Sequence, residues 1–562
     1  MTRRKEEDEA KPYTSGGRRR VSRRDFLKAG GTGLAGAALL GAAGCGGGQG
    51  GSSGGGGGSA SRPIQVTTQQ DIPHTDPALA YDTLSWPVVH ATFVTLITYN
   101  QSAQGFVPWA ATEVPKPENG GHKYVFNIRK GMKFTNGEPV NAQAFKYAIE
   151  RILNPKTKSP VADFYTNIVG GAAYRKNPKG DVKGIKVLSP YKIEFDLEKP
   201  DQTFLQTIAI PPASAVPQKA VEKAGPDFDT HPVGSGPFMV KQFSHGSKLI
   251  LVKNKDYKNP TSAPETTEAK AGEIDITIGL SPTTEIQRVE SGQADYALDF
   301  PSAQYNQVKN NPKYKSYIKS AVSNTLFYLF YNVQQKPFTD PKVRLAFQYA
   351  IDKKRIAQVL AGMVVPTNQI LPPHMPGYDP SIKGYPYDPE KAKSLLKEAG
   401  YGNGFHIDFW DQNTSDEPKV DQVIQNNLSQ IGVKMTLHSI SFSEWISKIE
   451  SGKAQAGVGA WSQDFPDPSD FLDVLFNSKQ IPTNNQSHYS NKTVDKELAQ
   501  ALVETNHKKR LEMYQKIQRQ ILADNPIVPL FNQKAIYFVN PKLKGADINP
   551  VFYQVYQQWY LT

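Results

Sequence analysis

The chain has 562 residues, which at roughly 150 residues per domain gives room for three to four structural units. Hydrophobic residues at 38%, charged at 21% and aromatic at 10% are the composition of a globular protein with a sizeable core and exclude a fibrous or wholly disordered chain. The net charge of +12 does not mark a nucleic-acid binder, because the first 44 residues hold ten Lys/Arg against five Asp/Glu and the remaining excess is scattered, as in Lys253, Lys255 and Lys258.

In chain order, the first readable segment is a targeting peptide. Ser22-Arg23-Arg24-Asp25-Phe26-Leu27-Lys28 precedes an uncharged run of Gly, Ala and Leu from Ala29 to Ala43, the order of a basic region, a weakly apolar region and a small-residue cleavage site. That run is too short and too rich in glycine to cross about 30 Å of hydrocarbon as a helix. Arg23, Arg24, Phe26 and Leu27 stand as in a twin-arginine export signal, which the segment closely resembles. Ala42-Ala43-Gly44-Cys45 resembles a lipobox, with Ala42 where leucine is usual. Cys45, the only cysteine, is then the site of lipid attachment, and acyl chains at about 0.8 kcal/mol per buried methylene hold such a protein on a membrane. The Gly/Ser-rich residues 46–61 read as a flexible tether.

From Ile64 onward short strands and capped helices interleave, which predicts an α/β protein. His122–Lys130 alternates Tyr124, Phe126 and Ile128 on one face, and Asn141–Leu153 spaces Ala144, Phe145, Ala148, Ile149 and Ile152 as a helix with Asn141 as its cap. Ile185–Leu197 predicts a hairpin around Ser189-Pro190, and Leu249–Val252 and Ile274–Ile278 predict strands. Further on, Asp340-Pro341 and Asp388-Pro389 each open a helix, and Gly400 stops the second. Val433–Leu437 reads as a strand, Glu444–Ile449 as a helix, and Gln455–Trp461 as a strand leading into a loop.

The motifs of common enzymes are missing. None of the ten histidines falls in a zinc-binding pattern, no Walker loop or dinucleotide fingerprint occurs, and Gly234-Ser235-Gly236 lacks the glycine that a nucleophile elbow needs. Asp464 and Asp467 could form the carboxylate pair of a glycosidase, but sequence separation does not give the distance on which that chemistry depends. The expectation is a protein that is not an enzyme and carries no cofactor and no metal.

Five stretches, in order, carry a family resemblance: Thr75–Asp82; Tyr124–Val140; Pro232–Phe238; Lys336–Arg344 with Ala350-Ile351-Asp352; and Trp461-Ser462-Gln463-Asp464-Phe465-Pro466-Asp467-Pro468. Together they resemble the family 5 solute-binding proteins of dipeptide, oligopeptide and nickel importers. The resemblance implies an α/β fold of the two-lobed periplasmic-binding-protein type (class II, large, with an extra domain), with a ligand cleft between the lobes. It implies lobe I at 62–93, 226–324 and 531–562, an extra domain at 94–225 packed on lobe I, and lobe II at 325–530.

It also implies a function: an extracytoplasmic, lipid-anchored component of an ABC importer that captures short peptides and delivers them to the permease subunits. A monomer with no nucleic-acid partner is expected. By position in the motifs, Tyr81, Asp82 and Thr83 would offer an edge for the peptide main chain by β-augmentation. Asp464 would meet the ligand's α-ammonium group and Trp461 would wall the pocket. The alternatives for these two are a cap on the Phe465-Pro466 turn and a core tryptophan. An oligosaccharide or a metal chelate in the same cleft is the alternative ligand, and an envelope enzyme or a structural lipoprotein the alternative class.

Overall fold

The computed structural model describes residues 62–261, 263–413 and 416–562. The export signal, Cys45 and the tether lie outside the described residues. The described residues pack as one body, and its scaffold is a mixed sheet of eleven strands among them. The sheet runs Val433–Ile440, Phe405–Gln412, Ala456–Ser462, Ile318–Tyr331, Ile527–Val539, Tyr296–Ala297, Ile64–Thr68, Glu273–Ile278, Lys248–Lys253 and Phe238–Ser244, and Val364–Pro366 pairs with Ile527–Val539 off this path.

Two long antiparallel strands sit in the middle. Ile318–Tyr331 pairs with Ile527–Val539 from Ile318↔Phe538 to Val322↔Lys534, and the ladder resumes only at Leu326↔Asn532. The extra residues at Ser323–Thr325 bend the strand there, as a bulge does. Beyond the bend the strand alternates between two cores: Leu326, Tyr328 and Phe330 pack with Trp445, Phe471, Tyr514 and Ile521, whereas Leu329 and Tyr331 pack with Phe338, Phe347, Ile407 and Leu428. Helices therefore cover both faces of this half of the sheet, the layering that buries such apolar strands.

The other half has its own cores. Ile64, Val66, Phe238, Ile274, Tyr296 and Trp559 form one, and the C-terminal Trp559 stacks on Tyr296 with ring centroids 4.7 Å apart. A separate, larger cluster is built around Trp109, Phe126, Phe145, Tyr165 and Phe195. There Lys123–Asn127, Lys192–Asp196 and Ile185–Ser189 form a three-stranded antiparallel sheet, beside the helix Ala142–Leu153.

The expected elements are present, and local chemistry explains their ends. Asn141 caps Ala142–Leu153 through Ala144 N, Asp340 caps Pro341–Ala350 through Lys342 N, and Asp388 caps Pro389–Glu398 through Lys391 N. In each case a side-chain oxygen satisfies an amide that the helix leaves unpaired. Gly400 ends the last of these with φ +84°. Ser441 and Glu444 form a reciprocal capping box on Phe442–Glu450.

Candidate functional site

The strand Ala456–Ser462 pairs with the bent central strand through Leu326↔Trp461 and Thr325↔Ser462, and it delivers the late tryptophan motif to the bend. Gln463 fixes the exit: its amide N–H donates to Asn324 O at 3.0 Å, its side chain accepts from Asn324 Nδ2 at 2.8 Å, and its Nε2 donates to Pro550 O at 2.7 Å. The next residue is Asp464. Its Oδ2 accepts a hydrogen bond from the Tyr81 hydroxyl at 2.8 Å, and its amide N–H donates to Asp470 Oδ2 at 2.9 Å. Residues 383 positions apart in sequence thus meet at one carboxylate.

Asp464 is 8% exposed and Asp470 1%. Burial pushes the Asp464 carboxyl up to about 7, against the opposing pull of the Tyr81 hydroxyl. Asp470 is pushed well above the carboxylate range, first by burial and then by the charge of Asp464. No salt bridge reaches either acid among the described residues. The nearby cation, Arg510, is committed to Asp467 in a buried two-pronged pair at 2.6 and 2.8 Å. Asp467 is therefore neutralised, and the arrangement does not form the pair of free carboxylates that a glycosidase would use.

Aromatic rings flank Tyr81, which is itself partly exposed. Phe164 lies 6.3 Å from Tyr81 and 6.0 Å from Phe465, edge to face in both cases, and Trp86 lies 6.4 Å from Tyr81. Trp461 is half-buried and packs on the core of Phe471 and Tyr514, and its buried indole N–H has no hydrogen-bond partner among the described residues. Asp82 and Thr83 lie in a turn, whereas an extended edge was expected: Asp82 Oδ1 accepts from Leu84 N at 2.9 Å and Ser85 N at 2.7 Å, and these bonds turn the chain into the helix Ser85–Thr92.

Beside this contact is a cavity of about 450 Å³ whose walls come from both sides of the bend. Thr83 and Asp299 line it from one side, Thr325, Ser462 and Lys534 from the other, and Tyr553 from the C-terminal segment. Asp464 and Trp461 are not among the residues that line it, although Ser462, between them in sequence, is, opposite Thr325. Sequence reasoning missed Asp470, Phe164 and Tyr553. The spacing of Asp464, Asp467, Asp470 and Asp473 by three was a signal for the first, whereas the other two are brought in only by folding. Among the described residues no three His, Cys, Asp or Glu group as metal ligands.

The fold is that of a solute-binding protein, and residues 105–483 match the bacterial extracellular solute-binding proteins, family 5 Middle. The chain belongs to that family. The glutathione-binding protein GsiB of Salmonella typhimurium is 29% identical over 500 residues, 87% of this chain and 93% of that protein. DppA of Helicobacter pylori, solved with the peptide STSA, is 25% identical with a TM-score of 0.74, over 89% of this chain and 98% of that one. The clavulanic acid biosynthesis oligopeptide binding protein 2 is 20% identical with a TM-score of 0.82, over 89% of this chain and 95% of that one, a likeness of fold. These relatives are binding proteins. No helix among the described residues is long and apolar enough to cross a membrane.

Proposed function

We propose that the chain captures short peptides outside the membrane for an ABC importer, and that the ligand's α-ammonium group pairs with Asp464. The observation that carries this reading is a buried carboxylate pair with no protein cation, placed where Tyr81 from the N-terminal segment meets Asp464 from the late motif. A carboxylate held out of water is costly to ionise unless a cation and hydrogen-bond partners compensate. Tyr81 supplies one partner, and a peptide ammonium would supply the missing charge. GsiB and DppA, named for glutathione and crystallised with a tetrapeptide respectively, support a peptide ligand. The lining offers hydroxyls and amides to a main chain, a mode that tolerates varied side chains.

In this reading residues 62–93, 226–324 and 531–562 form lobe I, 94–225 the extra domain and 325–530 lobe II, and the protein works as a non-enzymatic monomer. Two cores lie almost wholly within 325–530, which supports lobe II, whereas the Trp109 core also takes in Trp86, Phe93, Phe552 and Phe465 and so packs the extra domain on its neighbours; the irregular register at Ser323–Thr325 supports a hinge there. Calorimetry with di- to tetrapeptides tests the anchor. Asp464→Asn should weaken binding by about 3 kcal/mol, roughly hundredfold, and N-acetylation of the peptide should have a similar effect. Equal affinity for acetylated and free peptides would overturn the assignment.

Export through Arg23 and Arg24 and anchoring through Cys45 complete the proposal. Cys45→Ser should move the protein from the membrane fraction to the soluble one, because a single methylene-rich anchor is then lost. Retention of the variant on membranes would refute the anchor.

A further inference from the structure

The stretch Tyr124–Val140 takes no part in the ligand seam. Its centre, Arg129–Lys133, forms one side of a separate cavity of about 350 Å³, with Asp256–Pro260 opposite and Ser235 completing the lining. A second family motif, Pro232–Phe238, is thus present in the same place. The two are bonded directly, Thr135 N donating to Gly234 O at 2.8 Å.

The cavity is strongly cationic. Arg129, Lys130, Lys133 and Lys258 line it against the single carboxylate of Asp256. None of the four cations makes a salt bridge among the described residues. Arg129 is fixed in place, with Nε donating to Trp109 O at 3.3 Å and Ala111 O at 3.1 Å and Nη2 to Thr112 O at 3.3 Å, which leaves Nη1 uncommitted. Lys130 Nζ stands 5.9 Å from the Tyr191 ring. Lys133 and Lys258 have no side-chain partner among the described residues.

The backbone adds to this charge. The N–H groups of Lys130, Gly131, Met132 and Lys133 donate to no acceptor among the described residues, whereas the flanking Arg129 N and Phe134 N are bonded to Ala110 O and Glu138 O. At the centre of the run Gly131 has φ +90°, and no atom lies within 4 Å of where a Cβ would stand. Lys130, Gly131 and Lys133 are exposed, so successive amides without a protein partner around a left-handed residue remain open to an anion. Concave walls of one sign focus their field on it.

We propose that this cavity binds a phosphoryl group carried on a small polar head. Lysines supply point charges and the free Arg129 nitrogen a directed donor, the combination that phosphate oxygens accept. The volume exceeds that of inorganic phosphate alone and suits a glycerol-sized head. Such a group occurs both on free phosphorylated solutes and on anionic lipids.

The test uses the full chain, its Lys133→Gln/Lys258→Gln double variant, and Lys391→Gln/Lys397→Gln as a control for loss of charge elsewhere; matching thermal melts establish that all three fold. Calorimetry with inorganic phosphate and with sn-glycerol 3-phosphate should show saturable binding, at least tenfold weaker in the double variant and unchanged in the control. Flotation with vesicles of phosphatidylglycerol in phosphatidylcholine, against phosphatidylcholine alone, separates the sources. Weaker flotation of the double variant than of wild type identifies a lipid headgroup, and equal flotation with weakened glycerol phosphate binding identifies a free solute. Absence of saturable binding by either phosphate together with equal flotation, or phosphate binding unaffected by the double substitution, overturns the proposal.

Discussion

The central residue is a carboxylate whose charge depends on what it meets. Burial pushes the Asp464 carboxyl up to about 7, so in the proposed mode an arriving ammonium would favour its ionisation. Binding in this mode should release protons near pH 6.5, and affinity should fall about tenfold per pH unit below 7. Above about pH 8 the peptide amine itself loses its charge, so affinity should peak between roughly 7 and 8. Calorimetry in buffers of different ionisation enthalpy reads the released proton directly, and Asp464→Asn should abolish it. The unliganded protein should show the opposite trend in stability: the folded carboxyl binds more protons than the unfolded one from about pH 4 to 7, so its contribution declines as pH rises through that window.

Tyr81 shows why such a residue is hard to read alone. Its motif position marks it for main-chain contact, yet its hydroxyl hydrogen-bonds an acid 383 positions away. Asp82, expected beside it at the same main-chain edge, has its carboxylate bonded by two amides of its own turn.

Elements were more legible, because their ends are set by neighbours in sequence. The caps at Asn141, Asp340 and Asp388 each need one side chain and an amide two or three residues on, information contained in a short window. The Pro232–Phe238 turn is different. Ser235 N and Gly236 N both donate to Thr92 O at 2.9 Å, closing the turn over the end of the helix Ser85–Thr92. A Cβ on Gly236 would lie 2.6 Å from Thr92 C and 2.7 Å from Ala91 O, and backbone cannot yield as a flexible side chain can. Gly236→Ala should therefore destabilise the protein by about 3 kcal/mol, visible as a lower Tm, without altering peptide affinity in the protein that remains folded. The sequence displayed the glycines, but the helix end that requires them lies some 140 residues earlier.

At the scale of the whole molecule, the central question is how a continuous sheet can open. Ile318–Tyr331 and Ile527–Val539 are the strands whose pairing breaks at Ser323–Thr325, beside the cavity. A proposed closure would bend there and leave the cores on either side intact. Peptide should then reduce the radius of gyration in solution scattering while the far-ultraviolet circular dichroism stays unchanged. A ligand-saturated protein with unaltered scattering would remove closure from the mechanism.

Sequence by itself determined the mixed α/β class, the elements and the family, because hydrophobic period, capping and motif order are local or ordered along the chain. Tertiary structure alone decided which acids are left without a cation. Arg510 could have paired with any of four evenly spaced aspartates, and only packing assigns it to Asp467 and leaves Asp464 with a tyrosine. The physical reason is that burial and Coulomb interaction depend on distance in space, which the order of residues does not contain.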